Sequence, residues 1–144
     1  MEEVTLSEAT LAIQAALGFA RAKTLAPLAV VVLDAGGHLR ACAREDGAGF
    51  SGIDIATAKA RGALSFSMSS RAVGEIFGGN PALCTTLAAT LRGQMLPLAG
   101  AVLLRDGSGR VFGAIGAAGD LPDNDEAAAA AGLEAAASAR RSGP

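Results

Sequence analysis

The chain has almost no aromatic residues and few charged ones. Its 144 residues include neither Trp nor Tyr, aromatics make up 3%, and charged residues make up 18%, below the roughly 25% of ordinary soluble domains. The formal net charge is only −2. Nucleic-acid-binding domains show a basic face, and single-strand binders stack bases on aromatic rings. The composition therefore predicts that nucleic acid is not a partner.

Long apolar runs and clusters of metal ligands are also missing. The best apolar run, residues 28–33, is far shorter than the ~20 residues that a membrane-spanning helix needs. The acidic start at residues 1–4 lacks the pattern of a signal peptide. Cys42 and Cys84 are too few for a disulfide framework or a zinc site. We therefore expect a cytoplasmic protein with no membrane partner and no metal site.

Small and apolar residues are abundant. Apolar residues make up 51% of the chain, 19 residues are glycine, and the mean hydropathy is +0.39. A small domain of this composition is expected to cover part of its surface with another copy of itself, so we predict a homo-oligomer, a dimer or larger. The length predicts a single domain. We place that domain at residues 1–140 and expect a disordered tail at 141–144.

Hydrophobic periodicity and turn residues predict alternating helices and β-hairpins. Thr5 and Glu8 have capping-box spacing at a helix start, and the β-branched run at 28–33 is typical of a strand buried on both faces. The predicted elements are a helix to about residue 23, strands at 28–33 and 39–44, a helix at 53–66, two short helices within 69–91, strands at 98–104 and 110–117, and a helix to about residue 139. Two hairpins imply mostly antiparallel pairing. The sequence thus predicts an α+β fold, an α/β sandwich in the order α-ββ-αα-ββ-α, whose helices pack on a central sheet of four to five strands.

A glycine pattern at residues 47–52 matches Gly-x-Gly-x-x-Gly. In a dinucleotide-binding unit this pattern joins a strand to a helix, and a second strand follows that helix. Here the segment at 67–78 is not strand-like, and Glu45 and Asp46 interrupt the junction between strand and glycines. The pattern is therefore not interpreted as a nucleotide site.

Polar residues that could carry chemistry are few. His38 is the only histidine, so any mechanism that needs an imidazole must use it, although its place after a Gly-Gly turn also suits an ordinary exposed residue. A carboxylate acting as general acid or base, with a Lys or Arg to stabilise a developing oxyanion, would suffice for an enzyme without a cofactor. The candidate catalytic residues are Arg44, Asp46, Lys59 and Asp125. The charges at 44–61, which include Asp54 and Arg61, could line a polar pocket between the sheet and a helix or could form solvated surface.

Several segments in order resemble the GlcG/HbpS-like haem-binding family, whose domain also occurs at the C-terminus of PduO-type proteins. The segments that carry the resemblance are the hairpin at 30–39 with its Asp-Ala-Gly-Gly-His-Leu turn, Arg-Glu-Asp-Gly-Ala at 44–48, Ile-Asp-Ile-Ala-Thr-Ala-Lys-Ala-Arg at 53–61, Gly-Ala-Ile-Gly-Ala-Ala-Gly at 113–119, and Asp125 with Glu126. Together they cover about residues 30–133. No single segment is specific, but their order along the chain is.

The resemblance implies a central antiparallel sheet, dimers or larger assemblies, and a small-molecule ligand. Some members bind haem or a corrinoid-related ligand, so the resemblance implies haem as one cofactor for this chain. Its iron would need His38, a cysteine, a thioether such as Met95 or Met68, or an oxygen ligand, and its propionates would pair with Arg44 or Lys59. We therefore expect a ligand site formed by His38, Arg44, Lys59 and Met95.

The chain departs from the family pattern at residues 98–104. The family has a Gly-Gly-x-Pro loop there, whereas this chain has one glycine, no following proline, and apolar residues. Because that loop helps to shape the family's pocket, a different ligand is expected. Three functions remain open: a protein that binds haem or a related tetrapyrrole, a cofactor-free isomerase, cyclase or lyase acting on a small organic substrate, and an accessory subunit of an assembly.

Overall fold

Nine secondary-structure elements form the fold. The computed structural model describes residues 3–143, and the elements are α1 (Leu6–Ala22), β1 (Ala29–Asp34), β2 (Leu39–Arg44), α2 (Gly52–Phe66), α3 (Ser70–Phe77), α4 (Pro81–Thr90), β3 (Ala101–Arg105), β4 (Val111–Ala118) and α5 (Pro122–Ser142). The order α-ββ-αα-ββ-α and the α+β class predicted from the sequence are confirmed.

A single four-stranded sheet lies at the centre, in the order β2-β1-β4-β3, and all of its pairs are antiparallel. β1 is central, and its first five residues are buried, as the continuous β-branched run predicted. Successive side chains of β1 point to opposite faces of the sheet. Val30 and Val32 pack with α1 and α5, whereas Val31 and Leu33 pack with α2. The sheet is therefore sandwiched between two helical layers.

Glycine and alanine let the helices approach the sheet closely. A Cβ atom at Gly116 of β4 would lie 2.5 Å from the carbonyl oxygen of Ala56 in α2. At Gly132 of α5, a Cβ atom would overlap the side chain of Ile115 and lie 2.7 Å from the carbonyl oxygen of Ala12 in α1. The high content of small residues thus has a structural cause, because the backbones of neighbouring elements touch.

The predicted ends of two elements, β3 and α5, shift by about three residues. The capping box that begins α1 is present, since Thr5 Oγ1 accepts from the Glu8 amide at 3.1 Å and Glu8 Oε1 accepts from the Thr5 amide at 2.8 Å. β3 begins at Ala101 rather than at residue 98, because Pro97 and the positive φ of Gly100 (+144°) hold that stretch out of the strand. α5 continues past the predicted end near residue 139.

The last turn of α5 contains Arg141 and Ser142, which are part of the tail predicted to be disordered. Pro144 lies outside the described residues, as do Met1 and Glu2. Within residues 3–143, no helix is both long and apolar enough to cross a membrane. α4 has no buried residue, although most of its side chains are apolar.

Candidate functional site

Lys59 and Asp125, two of the predicted site residues, meet in the interior. Lys59 Nζ lies 3.2 Å from Asp125 Oδ2 and donates to the Ala117 carbonyl oxygen at 3.1 Å. Each of the two charged side chains is only 2% exposed. The pair joins α2 to the first turn of α5 and to the end of β4.

The surroundings of this pair leave no room for a substrate. A Cβ atom at Gly100 would lie 2.6 Å from Lys59 Nζ, so the glycine backbone packs directly on the ammonium group. Asp125 Oδ1 accepts from the Asp120 amide at 2.9 Å. Burial raises the pKa of Asp125, although this amide and Lys59 act in the opposite direction. The geometry is that of an interior structural contact, and a catalytic role for either residue stays a prediction.

Arg44 and Asp46 lie elsewhere, at the exposed end of β2. Arg44 Nη1 donates to the Ala48 carbonyl oxygen at 2.7 Å. With Arg21, Pro27 and Glu45, the two residues line an open depression of about 440 Å³. No hydrogen bond or ion pair among residues 3–143 joins them to the interior pair. The four predicted catalytic residues therefore fall into two separate sets.

A second depression, which we call the turn–helix cleft, lies between the β1–β2 turn, the C-terminal half of α2 and the segment after α4. Its volume is about 410 Å³. The lining residues are Ala35, Gly36, Gly37, Arg61, Leu64, Ser65, Leu91, Arg92 and Gln94. It therefore has apolar and cationic walls and no acidic lining residue.

His38 stands at the rim of this cleft. A Cβ atom at Gly36, a lining residue, would lie 3.0 Å from His38 Nδ1, so the imidazole packs beside Gly36, although His38 is not itself a lining residue. His38 Nδ1 lies 3.3 Å from Asp34 Oδ1, and the side chain is 77% exposed. Burial opposes ionisation of Asp34, yet the backbone amides of His38 and Gly36 donate to it and hold its pKa below the ordinary value.

Of the polar residues that line the cleft, Arg92 and Gln94 have no role predicted from the sequence. Arg61 Nε donates to the Gly37 carbonyl oxygen at 2.9 Å, and its two terminal nitrogens have no partner among residues 3–143. The exposed guanidinium of Arg92 likewise has none within that part of the chain. Gln94 Oε1 is buried and accepts no hydrogen bond. Only the glycine after Arg92, a residue typical of helix ends, could have indicated that a turn brings this segment to the cleft.

Met95 follows the cleft segment but faces inward. It is 4% exposed, and a Cβ atom at Gly62 of α2 would lie 3.3 Å from its Cγ. The thioether is therefore enclosed beneath α2. None of the four predicted ligand-site residues lines the cleft, and His38 alone lies beside one of the lining residues, Gly36.

The loop that departs from the family pattern lines neither of these depressions. Pro97, Leu98 and Ala99 border a different one, of about 300 Å³, between α3 and the start of α5. Arg71 crosses it to pair with Asp123 and Glu126. The changed loop and the turn–helix cleft are thus separate features of the surface.

These features define a class of protein: a small α+β domain in which helices enclose an antiparallel sheet and open depressions lie beside its turns. The chain belongs to the HbpS-like family, described as haem degrading protein HbpS-like, whose model matches residues 4–134. This confirms the resemblance seen in the sequence.

Solved structures share the fold over nearly the whole chain. A double mutant of HbpS from Streptomyces reticuli is 30% identical, with a TM-score of 0.80 and coverage of 93% of this chain and 87% of that one. PduOC in complex with haem is 21% identical, with a TM-score of 0.82 and coverage of 92% and 94%. The Klebsiella pneumoniae protein ORFY is 23% identical, with a TM-score of 0.85 and coverage of 94% and 92%. No curated protein sequence is detectably similar to this chain.

Proposed function

We propose that the protein binds haem or a closely related tetrapyrrole in the turn–helix cleft, with His38 as the ligand of the iron. The observation that carries the proposal is the position of His38, the only imidazole of the chain, beside Gly36 at the rim of a cleft lined by cationic residues. The family description and the haem complex of PduOC support the same class of ligand.

The residues present fit a haem group. With Nδ1 of His38 turned to the Asp34 carboxylate, Nε2 is the nitrogen left for iron, and such a carboxylate fixes the ring and its tautomer. Leu64 and Leu91 supply apolar walls. The cleft volume of about 410 Å³ lies within the range of small-molecule sites. Bound there, haem would supply iron-centred redox and oxygen chemistry.

The first experiment is an absorption spectrum of the purified protein, as isolated and during titration with haemin. A saturable Soret shift that reaches an end point at one haem per chain or per dimer is expected. In the His38→Ala variant, the absorption bands that indicate an imidazole ligand on the iron should disappear. A titration that leaves the spectrum of free haemin unchanged would exclude the proposed function.

Met95→Leu is the matched control for that variant, because it keeps the core volume and removes another candidate iron ligand. Since the Met95 thioether is enclosed beneath α2, its replacement should leave the haem spectrum unchanged. A spectrum that changes in Met95→Leu but not in His38→Ala would reassign the ligand.

A second candidate function is a cofactor-free isomerase, cyclase or lyase. It has the support of one feature, the depression in which Arg44 and Asp46 place a cation and a carboxylate side by side. Such a pair can combine oxyanion stabilisation with general acid–base catalysis. Screening of small organic acids and carbonyl compounds, repeated with Asp46→Asn, tests it. Full turnover by that variant would remove Asp46 from the mechanism.

A further inference from the structure

We infer that the turn–helix cleft is an acid-binding clamp: Arg61 and Arg92 hold the carboxylates of the ligand, so that a metal-free porphyrin acid binds there as well as haem. The inference rests on the proposed use of this cleft. It concerns a different part of the ligand, the acid groups rather than the iron.

The first observation is unbalanced positive charge. The nine lining residues include Arg61 and Arg92 and no acid. Arg61 uses Nε to hold the Gly37 carbonyl oxygen, which fixes the plane of its guanidinium while its terminal nitrogens stay without a partner among residues 3–143. A fixed guanidinium fork suits the two oxygens of a carboxylate.

The second observation is backbone strain at Arg92. Its φ is +57°, a left-handed conformation, directly after α4. Gly or Asn is the usual residue at such a position, because a side chain there crowds the backbone. Strained residues of this kind are found preferentially at binding sites. Here the strained residue is the one that brings a second guanidinium to the cleft.

The test compares protoporphyrin IX with its dimethyl ester by porphyrin fluorescence. Wild-type protein should bind the free acid at least about tenfold more tightly than the ester, as expected for charge-assisted hydrogen bonds. Arg92→Gly should lose about tenfold of its affinity for the acid and little for the ester. Because glycine relieves the left-handed strain, the same variant should unfold at an equal or higher temperature.

Thr24→Gly is the matched control. Thr24 has a φ of +56° just after α1 and lies outside the lining of the cleft. The substitution should relieve strain in the same way and leave the affinity for the acid unchanged. Equal affinities of wild-type protein for acid and ester, or full affinity of Arg92→Gly for the acid, would overturn the inference.

A third measurement separates this inference from the haem proposal. Succinate, a small dicarboxylate, should raise the unfolding temperature of the wild type and not that of Arg92→Gly. If this holds, and protoporphyrin IX binds in an Arg92-dependent way while haemin gives no Soret shift, the clamp stands and the haem proposal fails. If haemin gives a His38-dependent Soret shift while no acid depends on Arg92, the haem proposal stands and the clamp is overturned. Absence of an Arg92-dependent effect with every acid also overturns it.

Discussion

Lys59 and Asp125, 66 residues apart in the sequence, form an ion pair 3.2 Å long whose side chains are almost entirely shielded from solvent. Lys59 also donates to the Ala117 carbonyl oxygen, and Asp125 accepts a hydrogen bond from the Asp120 amide. Burying charge is costly unless the partners stay together. The contact therefore works as a single unit that fixes α5 against α2 and β4.

Replacing one partner of this ion pair should lower the free energy of unfolding much more than replacing both. Asp125→Asn leaves the Lys59 ammonium without a counter-charge, and we expect the free energy of unfolding to fall by about 3–5 kcal/mol. The double variant Lys59→Met with Asp125→Leu should lose less, because no buried charge remains. Urea unfolding measures both.

An exposed ion pair supplies the control for that comparison. Arg71 on α3 pairs with Asp123 and Glu126 of α5 at the surface, where such pairs contribute about 0–1 kcal/mol. Arg71→Ala should therefore change the free energy of unfolding by about 1 kcal/mol or less. A loss in Asp125→Asn no larger than in Arg71→Ala would contradict the role given to the buried pair.

Acid should weaken the fold through Glu8 rather than through Asp125. The hydrogen bond from Arg140 lowers the pKa of Glu8 below its ordinary value of 4.5. A carboxyl whose pKa is lowered in the folded state contributes stability above its unfolded pKa, and this is lost as the pH falls through the folded pKa. Glu8→Gln should therefore show a shallower loss of unfolding free energy below pH 4.5.

Asp125 should affect the pH dependence of stability in the opposite direction to Glu8. Because burial raises its pKa above the ordinary 3.8, its contribution is present at low pH and is lost as the pH rises through the folded pKa. Asp125→Asn should consequently make the acid loss of stability steeper than in the wild type. Chemical unfolding at a series of pH values measures both slopes, and a shallower slope in Asp125→Asn would contradict this assignment.

Gly100 should tolerate no side chain. A Cβ atom there would lie 2.6 Å from Lys59 Nζ and 2.7 Å from the Ala117 carbonyl oxygen, on a backbone with a φ of +144°. Gly100→Ala should lower the free energy of unfolding by at least about 1–3 kcal/mol, the usual cost of overpacking. Gly107→Ala is the control, since nothing lies within 4 Å of a Cβ atom there, and it should be close to neutral.

Self-association stays a prediction and has a direct test. The apolar composition predicted it, and α4 leaves all of its residues unburied in the single chain. Light scattering during gel filtration should give a multiple of 14.2 kDa that does not fall on dilution through the micromolar range. A mass equal to one chain would contradict the prediction.

The element order could be read from the sequence because its signals are local. The β-branched run of β1, the glycine turn before His38 and the capping box at Thr5 each depend on neighbouring residues. The family resemblance depends on the same segments. Only the ends of β3 and α5 shifted, at positions where a positive φ or an alanine-rich run obscures the boundary.

The site was harder to predict because it depends on distant contacts. Lys59 and Asp125 were chosen as charged residues, but their mutual burial follows from how α5 packs on the sheet, which no local pattern reveals. Arg92 and Gln94 reach the cleft only because the chain turns left-handed after α4. No periodicity in the sequence predicts such a turn. The residues that line the cleft could therefore be identified only from the structure.

The close approach of α2 to the sheet decides where this protein can be redesigned. Ala56, Ala60 and Ala63 face the strands, and at Gly116 the backbones of α2 and β4 are already in contact. Replacing these side chains by smaller ones therefore cannot create a deeper cavity, because they are already alanine or glycine. A larger ligand would require a longer turn before His38 or a longer segment around Arg92, since both segments lie at the surface.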